Sequence, residues 1–403
     1  MLLSSGRRLV LCNAVLNKLA TYFICSFLLP CGVLEAIDKR RRSFFWTGKD
    51  SCSGARCLMA WEKVCLSKQV GGFGMRDLQR QNLVLLMNFV HKLHQRERLP
   101  WKDWFQRSYN RDLGDVSASP SYLEKILHHC LDTYRSITTC DVRDGRHTSF
   151  WLDRWVDGVQ LSTRFPAIFS HCLRPNLSVA AACSGGLSFR PRLSAVAEAE
   201  LPVVLAIIAG TSLVDAEDCR SMAWGVRAPF SSRAAYAATA PVGTQDGSAI
   251  TSWGMRAPAK IRIFCLLADC DRLNTRSNLH FKNCAPSPLC ASCGEIETTR
   301  HLLFDCATAA DTWSRLGCDT ASSRSIWDIP SPTGTRDGAW ELCSAAILWQ
   351  LWKARNDRVF NAVSTSSSEI LRRAADDIVL WSHRVPISCR PYVEALRGLI
   401  IHC

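Results

Sequence analysis

Four residues in the second half of the chain have the types and spacing of a zinc site. They are Cys290, Cys293, His301 and Cys306, which form the pattern C-x2-C-x7-H-x4-C. Zinc prefers thiolate and imidazole ligands, and two intervening residues let a tight turn direct both sulfurs of the first pair to one point. Gly294 follows where such a turn often needs a positive φ. Because four protein ligands leave no open coordination position, the pattern predicts a structural site.

The spacing of the second pair predicts an interrupted helix. Five helical steps of about 100° would leave the side chains of His301 and Cys306 roughly 140° apart on a continuous helix. We therefore expect a turn over His301–Phe304, then Cys306, and then a new helix that runs through Trp313 and Leu316.

The cysteine content of the chain leaves two alternatives open. With 21 cysteines, some fall at ligand spacing by accident, so the four residues could be a chance cluster of buried thiols. Cys284 lies close enough in sequence to substitute as a ligand. The odd number of cysteines and the lack of a regular framework indicate reduced thiols, which favours an intracellular location in the nucleus or the cytoplasm.

Positive charge is concentrated near the N-terminus. The net charge is +13, and residues 1–107 contain 18 Lys and Arg against 7 Asp and Glu. The densest run is Lys39, Arg40, Arg41 and Arg42, followed directly by Ser43-Phe44-Phe45-Trp46. Cations beside aromatic rings suit an RNA or DNA strand with stackable bases, and a solvated helix end followed by core aromatics is the alternative. A run of four basic residues is also compatible with a nuclear import signal.

A membrane partner is not expected. The clearest apolar run, from Leu19 to Leu34, has 16 residues and contains Pro30. It is shorter than the ~20 residues that cross a bilayer, so it indicates core helix. An apolar content of 47% in 403 residues is enough to fill real cores.

Helical periodicity accounts for most of the chain. We predict a mainly α fold with two short β-hairpins and a small zinc-binding module, an α+β chain with a small metal site. The first hairpin is placed on Asp144-Gly145, and the second spans Trp224 to Arg233 before a helix at Ala234 to Ala238. Further helices are predicted from about Ile37 to Trp46, from Leu78 to Val90, after Pro258, from Trp340 to Phe360 and from Glu369 to His383.

Composition divides the sequence into five segments. They are a basic helical region (1–110), a Trp-rich segment with a hairpin (111–175), an Ala/Ser/Gly-rich connection with a hairpin (176–250), the zinc module (251–320), and a linker with C-terminal helices (321–403).

Motifs across most of the chain resemble the C-terminal part of plant non-LTR (LINE-type) retroelement reverse transcriptases. The region around the candidate ligands resembles the reverse transcriptase zinc-binding domain of that family, in Trp253, Pro258-Ala259-Lys260, Phe264, Leu273, Cys290, Cys293, Glu297, His301-Leu302-Leu303-Phe304, Cys306 and Trp313. Upstream blocks resemble the region after the polymerase palm, in Leu28-Leu29-Pro30, Arg41-Arg42, Phe45-Trp46, Trp61, Gly71-Gly72-Phe73-Gly74, Asp144-Gly145 and Phe150-Trp151-Leu152-Asp153-Arg154-Trp155. Leu351-Trp352-Lys353-Ala354-Arg355-Asn356 resembles the joint toward a ribonuclease H domain.

The resemblance implies that Cys290, Cys293, His301 and Cys306 bind zinc. The carboxylates that polymerase catalysis needs in this family are missing from this sequence. Polymerisation needs acidic residues that converge on two metal ions, and the family carries them in an aromatic-x-Asp-Asp turn that this sequence lacks. Ala374-Ala375-Asp376-Asp377 is the nearest string, but it has no aromatic residue and lies in a helical pattern. The endonuclease and the ribonuclease H carboxylates are also not found, so we expect no catalytic residues and no enzyme activity.

Three functions are compatible with this sequence. The first is a non-catalytic fragment of a retroelement reverse transcriptase with a structural zinc module and weak nucleic-acid binding. The second is a zinc-dependent protein-interaction scaffold whose partner is unknown. The third is a degenerate remnant without a selected function.

Overall fold

The computed structural model describes residues 3–95, 99–109, 119–223, 228–332 and 338–402. Helices dominate these ranges, and only two small two-stranded sheets accompany them there. The predicted fold class is therefore confirmed.

The helices of the first part of the chain are short apart from α3, α5 and α7. They are α1 (Ser5–Leu11), α2 (Asn17–Ile24), α3 (Cys31–Thr47), α4 (Trp61–Cys65), α5 (Leu78–His94), α6 (Pro100–Tyr109), α7 (Tyr122–Ile137), α8 (Leu161–Arg164), α9 (Pro166–Ser170) and α10 (Val179–Cys183). Helix α3 begins at Cys31, earlier than the predicted start near Ile37, because the chain turns directly after Pro30.

The helices of the second part include the longest one, α17. They are α11 (Ala195–Ala209), α12 (Ser232–Ala238), α13 (Gly247–Gly254), α14 (Ala259–Asp269), α15 (Arg276–Phe281), α16 (Ala307–Arg315), α17 (Gly338–Asn361), α18 (Ser367–Ser382) and α19 (Arg390–His402). Short 3-10 segments lie at Gly54–Arg56, Lys68–Val70 and Ile387–Cys389, and π-helical turns at Cys12–Leu16 and His301–Asp305. No helix in the described ranges combines the length and apolarity that spanning a membrane requires.

The chain forms two compact units, each built from separated segments. Unit 1 comprises Met1–Leu19, Glu35–Asp77 and Val242–Cys403, and unit 2 comprises Ala20–Leu34 and Leu78–Pro241. The five segments inferred from composition remain predictions.

The core of unit 1 forms around α17. Its residues Leu342, Cys343, Ile347 and Leu348 are fully buried, so most of the helix circumference is covered. Helices α14, α18 and α19 pack against it. This apolar framework carries the candidate zinc ligands.

Unit 2 contains a buried ion pair from one of the sequence blocks that carried the resemblance. Asp153 accepts hydrogen bonds from Arg220 Nη1 at 3.1 Å and Nη2 at 2.6 Å, and from the backbone N–H of Ser149 at 2.7 Å. Burial raises the pKa of Asp153, but the charge and hydrogen bonds of Arg220 outweigh it and lower the pKa to about 2. Trp151 in the same block is fully buried and therefore has a packing role.

The first hairpin was predicted at the wrong Asp-Gly pair. The observed hairpin joins β2 (Arg154–Val156) to β3 (Val159–Gln160) through Asp157 and Gly158, whose φ values of 51° and 68° are both positive. Two central residues with positive φ are what a tight primed turn requires. At Gly145 the φ is also positive, but its N–H donates to Asp218 and its carbonyl accepts from Ala180, so the turn serves distant segments.

The other sheet pairs strands that are far apart in sequence. Strand β1 (Thr138–Asp141) lies antiparallel to β4 (Cys219–Met222), with Thr138 opposite Met222 and Asp141 opposite Cys219. Part of the predicted hairpin from Trp224 to Arg233 lies outside the described residues, at 224–227. An isolated bridge between Ser221 and Pro229 precedes α12, which confirms the helix predicted at Ala234 to Ala238.

Candidate zinc site

The first pair of candidate ligands lies on a small loop of residues 289–296, called the zinc loop here. An antiparallel bridge between Leu289 and Ile296 closes it, and the N–H of Cys290 donates to the carbonyl of Glu295 at 2.6 Å. The N–H of Gly294 returns to the carbonyl of Cys290 at 3.0 Å, with Gly294 at φ 80°. The positive φ predicted for this glycine is confirmed.

The second pair lies at the predicted interruption between two helical segments. His301 begins the π-helical turn, Cys306 has an extended conformation with φ −61° and ψ 140°, and α16 starts at the next residue. The N–H of Cys306 donates to the carbonyl of His301 at 2.7 Å. The predicted break between the two residues is therefore confirmed.

Neighbouring side chains fix this turn. Thr298 accepts a hydrogen bond from the N–H of His301 at 3.0 Å. The indole of Trp313 on α16 donates to the carbonyl of Leu303 at 2.8 Å, and Trp313 is buried. Sequence reasoning missed Thr298, although a threonine three residues before the start of a helical turn is a recognisable capping signal.

All four candidate ligand groups meet at one place. The ligand atoms of Cys290, Cys293, His301 and Cys306 lie within 4.8 Å of one another, and Cys293 Sγ is 3.2 Å from His301 Nε2. With Zn–S near 2.3 Å and Zn–N near 2.0 Å, a tetrahedral site needs ligand atoms about 3.5 to 3.8 Å apart. The donor set and its spacing therefore fit a zinc ion after small shifts that shorten the longest separations and lengthen the one between Cys293 and His301.

Binding of a cation at the cluster requires Cys306 to lose its proton. Burial, and then the nearby Cys290 thiol, raise the pKa of Cys306 to about 11. Both effects oppose a thiolate at this position, and a divalent cation would reverse them by supplying the missing positive charge. The N–H of Ser292, 3.4 Å from Cys290 Sγ, adds a donor to one sulfur.

Cys284 stays outside this group. It is exposed, and its thiol donates to the carbonyl of Lys282 at 3.4 Å. Among the residues that the structure describes, the four-residue group is the one place where three or more metal-binding side chains converge.

A buried ion pair attaches the zinc loop to α17. The carboxylate of Glu297 accepts hydrogen bonds from Arg355 Nη2 at 2.5 Å and Nε at 3.1 Å, and from the backbone N–H of Arg276 at 2.8 Å. Glu297 and Arg355 are both buried. The segment that resembled a joint between domains is thus part of the support of the zinc loop.

The four residues of the basic run on α3 differ in exposure, because successive residues of a helix point in different directions. Lys39 and Arg40 are exposed, and Arg42 is half-buried. Arg41 is buried, where it pairs with Asp38, donates to the carbonyl of Arg76 at 2.7 Å and lies over Trp61. Arg41 is therefore not available to a phosphate group.

The aromatic residues after that run are not base-stacking surfaces. Phe45 is fully buried and lies 5.6 Å from Phe73, and Phe44 and Trp46 pack against the same core. Of the two interpretations of this run, the structure therefore agrees with a helix end followed by core aromatics, because these rings belong to the core of unit 1.

The Asp-Asp string near the C-terminus lies on α18. Asp376 is exposed and pairs with Arg372 at 3.2 Å, whereas Asp377 accepts a hydrogen bond from Gln350 at 2.5 Å. The two carboxylates thus have separate partners.

Comparisons with known proteins agree with this arrangement. A family described as zinc-binding in reverse transcriptase matches residues 230–313, which include all four candidate ligands. A putative ribonuclease H protein of Arabidopsis thaliana is 26% identical over 388 residues, which are 89% of this chain and 61% of that protein. An uncharacterized mitochondrial protein of Arabidopsis thaliana is 30% identical over 146 residues, which are 34% of this chain and 92% of that protein.

Proposed function

Because the chain belongs to the family of plant retroelement proteins related to reverse transcriptase, we propose that it is a non-catalytic fragment with a structural zinc ion and weak nucleic-acid affinity. The convergence of three thiols and one imidazole within 4.8 Å carries this proposal. Zinc on these groups would hold the zinc loop, the π-helical turn and the start of α16 together. The four protein ligands would leave no position for a substrate.

The absence of catalysis is part of the proposal. The separate partners of Asp376 and Asp377 support it, because two-metal phosphoryl chemistry needs carboxylates that face one point. Primer extension and nuclease assays with magnesium should give no product. Activity abolished by Asp376→Ala would overturn this part.

Metal analysis of the purified protein tests the zinc site. We expect about one zinc per chain in the wild type, and its loss in Cys290→Ser and His301→Ala. Cys284→Ser is the matched control, since this thiol is exposed and outside the group. Wild-type protein without stoichiometric metal would refute the proposal, and zinc lost only in the Cys284 variant would refute the ligand assignment.

The protein-interaction scaffold remains a prediction that a pull-down can separate from nucleic-acid binding. Under the proposed function, co-purifying material disappears after nuclease treatment. A defined protein partner that survives nuclease would favour the scaffold.

A further inference from the structure

Four cations of unit 1 come together away from the basic run on α3. They are Lys68, Arg256, Arg262 and Arg384, which we call the cationic cluster. Lys68 lies on a 3-10 segment, Arg256 lies between α13 and α14, Arg262 lies on α14, and Arg384 follows α18. They come from three distant parts of the sequence, which is why no run of basic residues marks them.

Trp253 lies beneath this cluster, and its contacts with neighbouring residues hold it in place. Its indole donates to the carbonyl of Gly72 at 2.9 Å, and its ring meets Phe73 edge to face. Lys68 Nζ lies 4.6 Å from the centre of the same ring. The Lys68 side chain also runs past Gly74, where a Cβ would stand 3.6 Å from its methylenes. The ammonium group is therefore held by packing.

Backbone carbonyl groups position the central guanidinium. Arg262 Nε donates to Ala257 at 2.9 Å, and Nη1 donates to the carbonyl of Trp253 at 3.2 Å. Burial lowers the pKa of Arg262, and the positive charges of Arg384 and Arg256 lower it further. Burial and the positive charge of Arg262 likewise lower the pKa of Lys68. Lys68, Arg256 and Arg384 are therefore each close enough to Arg262 to repel its positive charge.

Among the described residues, none of the four cations forms an ion pair with a carboxylate. The stretch 247–268 contains three Lys or Arg and no Asp or Glu. Lys68, Arg256 and Arg384 are exposed. Lys68 and Arg262 are held in position by their contacts with Trp253 and Ala257. A group of four cations without carboxylate partners is suited to a polyanion.

We propose that the cationic cluster binds the phosphate backbone of single-stranded RNA without reading its sequence. The inference rests on the proposed nucleic-acid binding and gives it a surface other than the run Lys39–Arg42. Trp253 is covered by Lys68 and Phe73, so it supports the cations and does not stack on bases.

Binding of a labelled 20-nucleotide oligouridylate at several salt concentrations tests this surface. Four phosphate contacts on a single strand predict a slope of about −2.8 in log affinity against log salt, or roughly a 50-fold loss between 50 and 200 mM. The triple variant Lys68→Gln/Arg256→Gln/Arg384→Gln should bind at least about tenfold more weakly at low salt, with a slope shallower by about 2.

Two matched variants complete the experiment. Lys39→Gln/Arg40→Gln/Lys49→Gln removes the same charge from exposed positions on and after α3 and should retain most of the affinity. Lys68→Arg/Arg256→Lys/Arg384→Lys keeps the charge and should bind like the wild type. Circular dichroism and zinc content show whether each variant is folded.

The outcomes separate this inference from the proposed function. Wild-type protein that binds the RNA, with the loss confined to the α3 variant, would refute the cationic cluster and leave the proposed function intact. Wild-type protein without affinity at low salt would refute the nucleic-acid part of both.

Discussion

At the residue scale, burial decides what each charge can do. Arg41 and Arg355 are buried against carboxylates, whereas Lys39 and Arg40 face solvent. Sequence spacing alone shows the charge and not the partner. A buried arginine thus has a structural role that its neighbours in the sequence do not share.

The pair Glu297 and Arg355 provides a stability test. Arg355→Met leaves a buried carboxylate without its partner, and we expect it to destabilise the protein by about 3 to 5 kcal/mol. The double variant Glu297→Gln/Arg355→Met should lose less, because the amide still accepts the backbone N–H of Arg276. Urea unfolding of both variants measures the difference. Equal losses would show that the buried charge is not the cause.

Two histidines of unit 2 predict a pH dependence. Burial, and then the positive charge of Arg220, lower the pKa of His91 to about 4 and lower the pKa of His94 well below its usual value of 6.5. Protonation therefore favours the unfolded chain. The stability contributed by the neutral rings is complete above pH 6.5 and is lost as the pH falls toward 4.

Unfolding measured from pH 7.5 to 4.5 tests this behaviour. The wild type should lose up to about 1.4 kcal/mol per pH unit for each histidine below pH 6.5. His94→Leu should flatten the profile, since His94 is buried and its Nε2 has no hydrogen-bond partner. His129→Gln at an exposed position should follow the wild type. A His94→Leu profile as steep as the wild type would contradict the assignment.

At the element scale, features set by residues close in sequence were predicted correctly, and features set by residues distant in sequence were not. The turn at Gly294 and the break before Cys306 depend on neighbours within a few residues, so spacing predicted them. The pairing of β1 with β4 joins residues about 80 apart, and the hydrogen bonds that occupy Gly145 join it to Asp218 and Ala180, which lie 73 and 35 residues further along the chain. No local pattern contains that information.

Gly158 in the β2–β3 hairpin allows the effect of backbone conformation on stability to be tested separately from the effect of packing. Gly158 has φ 68°, and no atom lies within 4 Å of the place that a Cβ would take, so Gly158→Ala adds conformational strain without a clash. We expect a loss of about 1 to 2 kcal/mol in thermal or urea unfolding. Gly54→Ala also meets open space but has no positive φ, and it should change stability much less. Equal effects would exclude the backbone explanation.

At the scale of the whole molecule, the zinc ligands and the helices that support them all belong to unit 1. Removing the metal should therefore act on unit 1. Hydrogen exchange after treatment with a zinc chelator should show faster exchange in α14, α16 and α17, while α5 and α7 of unit 2 keep their protection. Equal deprotection of both sets of helices would contradict this localisation.

Because unit 1 is built from separated segments, the ribosome makes its parts at different times. Gly6 lies directly against Ala259 and Lys260, so the first helix is completed only by residues made much later. Roughly 165 residues separate Asp77 from Val242, and at about 5 to 20 residues per second the ribosome needs on the order of 10 to 30 s to make them. During that interval α1 lacks its contacts with α14, and Phe73 lacks its contact with Trp253, which makes the nascent chain a natural client for chaperones. A premature stop codon in that interval would leave this apolar surface exposed permanently.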